Sequence, residues 1–127
     1  TAYAPYSKYR GGAALLLENN NIVIGSNQEN ASYPAGICAE RVALSTAATH
    51  YPNITVKAIA IVHRNEQKLE NDTSMISPCG ICRQSILEQQ NKQQQIIQII
   101  MSSPEHKGVI VDDVSFLLPF AFSNMHF

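Results

Sequence analysis

Two short cysteine motifs, far apart in the chain, limit what it can fold into. Cys38-Ala39-Glu40 and Pro78-Cys79-Gly80-Ile81-Cys82 hold all three cysteines, so a fold that uses them together must bring two distant segments to one point. Three thiolates suit zinc, which takes four ligands. Three from protein leave one position for water, the pattern of a catalytic rather than a structural site. Glu40, two residues after Cys38, is the candidate proton carrier for that water.

The spacing has a local logic. Cys79 and Cys82 are i and i+3, which share a face in the first turn of a helix. Cys38 also begins a helical pattern. All three thiolates then lie near helix N-termini, where free N–H groups and the helix dipole favour negative charge. Three thiolates against a zinc dication leave about −1 by simple counting. Arg41 and Arg83 each follow a motif residue and are candidates to offset that charge. Arg41 is the first choice, through a hydrogen bond to a ligand sulfur. A structural zinc site would need a fourth protein ligand. His50, His63, His106 and His126 all lack ligand spacing to a cysteine and read as surface or strand-end residues. A buried or redox thiol pair is the remaining reading of a lone CxxC, and the upstream Cys-Ala-Glu argues against it.

Around the motifs the chain reads as an alternation of strands and helices. Residues 12–17 and 22–24 form a hairpin around Asn19-Asn20-Asn21, since Asn tolerates the left-handed region. Residues 26–37 lack a period and read as a loop. From Cys38, an alanine-rich helical pattern (Ala39, Ala43, Leu44, Ala47) continues until Pro52. Residues 56–62 fit a buried strand. Residues 64–77 form a polar excursion with Asn71-Asp72 as a turn, and a second helix covers 79 to 90. Strands follow at 96–101 and 109–111. A last helical turn capped by Asp112 or Asp113 is stopped by Pro119. The result is one α/β domain over residues 1–127, a mixed β-sheet sandwiched by helices.

Net charge narrows the partners. The chain carries nine Lys and Arg against ten acids, for a net charge of −1. That balance is poor for holding a polyanion and favours a small, roughly neutral substrate over nucleic acid. No apolar run approaches the roughly 20 residues needed to span a bilayer. An odd cysteine count and no charged-then-apolar leader imply thiols kept reduced, so a cytoplasmic location is expected.

Together the segments Cys38-Ala39-Glu40-Arg41 and Pro78-Cys79-Gly80-Ile81-Cys82-Arg83-Gln84 resemble the small cytidine deaminases that hold zinc with three cysteines. Pro5-Tyr6-Ser7-Lys8-Tyr9 resembles that family's substrate-side segment. Asn27-Gln28-Glu29-Asn30-Ala31-Ser32 resembles its ribose-binding stretch, and Leu117-Leu118-Pro119 with Phe122 its C-terminal end. The resemblance implies a three-layer α/β/α fold, Zn2+ on Cys38, Cys79 and Cys82, and hydrolytic deamination of cytidine and 2′-deoxycytidine in pyrimidine salvage, with Glu40 as the proton shuttle. It implies substrate contacts at Tyr9, Asn27, Glu29 and the Ala39 backbone. Phe122 would close the pocket from a neighbouring subunit of a homotetramer. Gly11 and Phe120 depart in size from the family's usual residues. The alternatives are a deaminase of another small base-containing compound of the blasticidin-S type, a nucleic-acid-editing deaminase, and a non-catalytic zinc-binding module. The sugar-clamp residues, the net charge and Glu40 respectively argue against these.

Overall fold

Strand alternation and helical periodicity meet in one core. The structure, a computed structural model, describes residues 1–66, 75–102 and 108–124. β1 (Tyr9–Leu17), β2 (Ile22–Ser26), β3 (Val56–Asn65), β4 (Gln98–Ser102) and β5 (Gly108–Val111) make one sheet in the order β2-β1-β3-β4-β5. Only β3 and β4 pair in parallel; the other neighbours are antiparallel. The sheet is therefore mixed, as expected. Two helices, α1 (Ala39–His50) and α2 (Gly80–Gln93), supply the long crossovers.

The strands β1 to β4 bury residues of one face of the sheet, while β5 buries none. Ala13, Leu15 and Leu17 of β1, Val23 of β2, Ile59 and Ile61 of β3, and Ile99 and Met101 of β4 point to the same side. They meet Ala39, Ala43 and Ala47 of α1 and Ile86 and Leu87 of α2. The alanine stripe lets α1 lie close on β1 and β2. At Gly25 the approach is so close that an added Cβ would stand 2.5 Å from the Ala39 carbonyl oxygen. The opposite face of the sheet presents Ile24, Ala14, Ala60, Ile100 and Ile110 in one row across five strands.

Several boundaries differ from the sequence reading. β1 starts at Tyr9 rather than residue 12, and β3 runs on through Asn65. These polar extensions hold because Tyr9, Arg10 and Gly11 pair with Asn65, Arg64 and His63. The excursion thus begins later, and its Asn71-Asp72 turn lies outside the described residues, as do His106 and His126. The Asn turn forms as expected, with Asn20 at φ 69°. Within 26–37, Tyr33–Ala35 makes a short 3-10 turn. α2 extends a turn beyond residue 90 because its glutamines stitch it down. Gln90 donates to Asp113 Oδ1 at 2.7 Å and accepts from the Ile97 N–H at 2.9 Å. Gln93 bonds both backbone groups of Val56. The final turn is 3-10 (Val114–Leu117), with Asp113, not Asp112, as its cap.

Candidate metal centre and active site

The two cysteine motifs meet because α1 and α2 start at the same end of the sheet. Cys38 is the N-cap of α1 and Cys79 the N-cap of α2, both in extended backbone and neither capping with its side chain. Cys82, one turn into α2, is fully buried. The Cys38 and Cys79 sulfurs are 3.8 Å apart and those of Cys79 and Cys82 3.4 Å. All three lie within 4.8 Å of one another. A tetrahedral ion with sulfur at about 2.3 Å needs sulfur–sulfur separations of about 3.8 Å, so the donor set fits a metal.

Electrostatics support the same reading. The Cys38 thiol is drawn down to about 6, chiefly by a hydrogen bond from Cys82, with Arg41 adding to the effect. Cys82 is pushed up by donating to Cys38, by burial and by the nearby Glu40 charge. The Cys38 thiolate forms easily and that of buried Cys82 does not, because its charge would lie beside those of Cys38 and Glu40. A cation among the sulfurs removes that conflict.

Glu40 is 5% exposed and sits in the first turn of α1, its Oε2 3.6 Å from Cys82 Sγ. A cavity of about 140 Å³ opens beside it, walled by Tyr9, Asn27, Cys38, Ala39, Glu40 and Cys79. A roomier cleft of about 260 Å³ near Tyr51, Asn53 and Lys92 contains no cysteine, histidine or carboxylate.

The remaining sequence candidates divide. Tyr9, Asn27 and Ala39 reach the cavity. Asn27 uses both ends of its amide on β1: Oδ1 accepts from the Gly11 N–H at 2.9 Å and Nδ2 donates to the Tyr9 carbonyl at 2.8 Å. Glu29 lies in a neighbouring hollow with Tyr6, Ser7 and Tyr33. Its carboxyl is held below the usual range by the Ser7 hydroxyl, with help from the Ser7 and Tyr6 N–H groups. Phe122 is 59% exposed, and its carbonyl accepts from Gln84 Nε2 at 3.0 Å. Arg41 Nη2 donates to the Gly36 carbonyl at 3.4 Å, and its Nε is buried without a hydrogen-bond partner.

Sequence reasoning missed two features. Arg83 donates from Nε to the Pro78 carbonyl at 2.8 Å and from Nη1 to the Leu117 carbonyl at 3.1 Å, tying the C-terminal segment to the cysteine turn. His63, read as a strand-end histidine, stacks on Tyr9 at 5.3 Å between centroids and 18° between planes. Neighbouring positions in the β1–β3 ladder bring the rings together, and only the register would have revealed it.

With this geometry in hand, residues 1–98 match the model of the cytidine and deoxycytidylate deaminase zinc-binding region. The chain belongs to this family. Its metal is accordingly zinc, on a cysteine trio whose spacing suits it. A cytidine deaminase of Mycoplasma pneumoniae is 39% identical over 87 residues, 68% of this chain and 60% of that protein. One from Sporosarcina psychrophila is 44% identical over 87 residues, 68% of this chain and 58% of that protein. The chain thus spans about 60% of the length of the curated relatives it matches. A blasticidin-S deaminase of Bacillus cereus is more distant, at 25% over 80 residues, 63% of this chain and 57% of that protein. The crystal structure of cytidine deaminase from Burkholderia pseudomallei superposes with TM-score 0.79 at 35% identity, covering 96% of this chain and 88% of that one. The mixed five-stranded sheet with its helices fits the three-layer α/β/α architecture. Among the described residues no helix is long and apolar enough to cross a membrane.

Proposed function

We propose that this chain, as one domain over residues 1–127, catalyses the zinc-dependent hydrolytic deamination of cytidine and 2′-deoxycytidine to the corresponding uridines, releasing ammonia. The observation that carries the reading is the buried Glu40 carboxylate, 3.6 Å from a sulfur of the cysteine trio and in the wall of the adjoining cavity. A structural zinc site has no use for a carboxylate held there. Zinc on Cys38, Cys79 and Cys82 would make a water molecule nucleophilic near neutral pH. Glu40 takes a proton from that water and delivers it to the ring nitrogen beside the amino-bearing carbon of cytosine, which makes that carbon more electrophilic. Oxygen adds to the carbon. Glu40 takes the remaining proton from the added hydroxyl and passes it to the amine; the C–N bond breaks as the carbonyl forms, and ammonia leaves. The Ala39 and Pro78 backbone reads the amide-like edge of the base.

The substrate contacts belong to the same proposal. Tyr9 lies against the base or sugar, and Asn27 and Glu29 bind sugar hydroxyls. The cavity of about 140 Å³ is smaller than the roughly 300–1,000 Å³ of a typical ligand site, which favours a wall completed by Phe122 of a neighbouring subunit in a homotetramer. Arg41 offsets thiolate charge, in keeping with its effect on Cys38. The setting is pyrimidine salvage in the cytoplasm, with no role for nucleic acid or membrane. An ultraviolet assay on protein of known zinc content tests the reading with cytidine, deoxycytidine, blasticidin S, free cytosine and a cytosine-containing oligonucleotide. Turnover confined to the two nucleosides is the expected result. Turnover of the oligonucleotide alone, of blasticidin S alone, or of no substrate by zinc-loaded protein refutes it.

A further inference from the structure

The backbone of Tyr9 is held on both sides by side chains. On one side, the Glu29 carboxylate accepts from the Tyr6 N–H at 3.0 Å and the Ser7 N–H at 3.2 Å, and the Ser7 hydroxyl donates to its other oxygen. That hydroxyl oxygen in turn accepts from the Tyr9 N–H at 3.0 Å. On the other side, the Tyr9 carbonyl accepts from Asn27 Nδ2. Between Ser7 and Tyr9, Lys8 sits at φ 59°, in the left-handed region where a residue with a side chain is uncommon. Lys8 itself donates to the Ala4 carbonyl and accepts from the Glu66 N–H, both at 3.1 Å, and the side chains hold the Tyr9 end of the turn.

Chemistry fixes the direction of this relay. An ionised carboxylate can only accept, and a backbone N–H can only donate. The Ser7 hydroxyl is the one group between them that does both. It must point its hydrogen at Glu29, which leaves a lone pair for Tyr9. Removing the hydroxyl breaks both links at once. Ser7 itself is absent from the cavity wall, whereas the Tyr9 it anchors is part of that wall.

We propose that Ser7 is a positioning residue: its hydroxyl, oriented by Glu29, sets the Tyr9 backbone and through it the aromatic wall of the active-site cavity. This deepens the deaminase reading and rests on it for the identity of the ligand. It also gives Glu29 a second task, ordering the N-terminal turn, beside any contact with sugar.

The test uses zinc-loaded full chain carrying S7A or S7T, with two readouts. One is KM and kcat for cytidine; the other is hydrogen exchange of the Tyr9 amide by NMR. For S7A we expect KM to rise about tenfold, the effect of losing the one of these two hydrogen bonds that holds the Tyr9 N–H. We expect kcat to stay within about twofold, the signature of lost binding rather than lost chemistry. The Tyr9 amide should exchange about tenfold faster. S7T, which keeps the hydroxyl, should restore both. An S7A protein whose Tyr9 amide exchanges as slowly as wild type overturns the proposal, as does a loss confined to kcat or an unchanged KM. Should wild-type protein fail to turn over cytidine, the deaminase reading falls, and the exchange rates still decide whether Ser7 anchors Tyr9.

Discussion

Gly25 offers a direct way to perturb the metal centre without touching a ligand. It lies where β2 crosses the first turn of α1. A Cβ added there would stand 2.5 Å from the Ala39 carbonyl oxygen, 2.6 Å from the Ala43 nitrogen and 3.0 Å from the Ala43 Cα. All three are backbone atoms of a helix, so no rotamer change relieves the clash. Normal contact begins near 3.5 Å, so Gly25→Ala must push the start of α1 outward by about 1 Å. Overpacking of this kind costs about 1–3 kcal/mol, or roughly 3–15 °C in Tm for a domain of this size. The displaced turn carries Cys38 at its cap and Glu40 within it. Cys79 and Cys82 lie at the start of α2, which supplies none of the three atoms nearest that Cβ. The displacement therefore opens the site, and a misplacement of 1 Å can cost about 10²-fold in rate. Thermal unfolding and steady-state kinetics on zinc-loaded protein measure the two effects. Gly108→Ala is the milder comparison: among the described residues its Cβ would meet the Met101 carbonyl oxygen, at 3.3 Å. A Gly25→Ala protein with wild-type Tm refutes the packing argument. A lowered Tm with kcat intact refutes the coupling between helix position and chemistry.

Three further outcomes follow from the same geometry. Glu40→Gln should keep zinc content and fold while kcat falls by about 10²–10⁴, the usual worth of a general acid–base; near-normal turnover removes Glu40 as the shuttle. Arg83→Gln cannot reach both the Pro78 and Leu117 carbonyls, so at least one hydrogen bond worth about 0.5–1.5 kcal/mol should be lost, with faster zinc release to a chelator; unchanged stability and release rate would count against the clamp. Glu29 has its carboxyl pKa lowered by the Ser7 hydroxyl, so its ionised form stabilises the fold above the unfolded glutamate value of about 4.3. That contribution fades as pH falls through the lower folded value. Urea unfolding of wild type against Glu29→Gln should show an advantage for wild type at neutral pH that shrinks in acid, and an advantage that grows in acid would contradict the assignment.

Much of the site was legible because its determinants are local. The Cys79–Cys82 spacing places two sulfurs on one helical face whatever the rest of the chain does. A cysteine opening each of two helical patterns implied that two helix starts converge. The apolar runs of residues 12–17 and 56–62 likewise marked two strands, while which of their faces turns inward came from the sheet. The placement of Glu29 was harder to read. Its resemblance to a sugar-binding stretch says nothing of Ser7, because their contact spans more than twenty residues and forms only once the loop folds back over β1. The helical pattern ends at residue 90 in sequence, yet Gln90 and Gln93 make the bonds that lengthen α2.

Residue order alone settled the chemistry on offer: three soft donors, a carboxylate two positions from the first, and a mixed sheet to carry them. Those properties follow from spacing along the backbone, which helix and strand geometry convert directly into shared faces. Tertiary packing decided how far the site opens, which side chains wall it, and that Tyr9 is anchored through Ser7 and Arg83 through two carbonyls. Such contacts depend on sheet register and on the close approach of β2 to α1 at Gly25, where atoms distant in sequence compete for the same space.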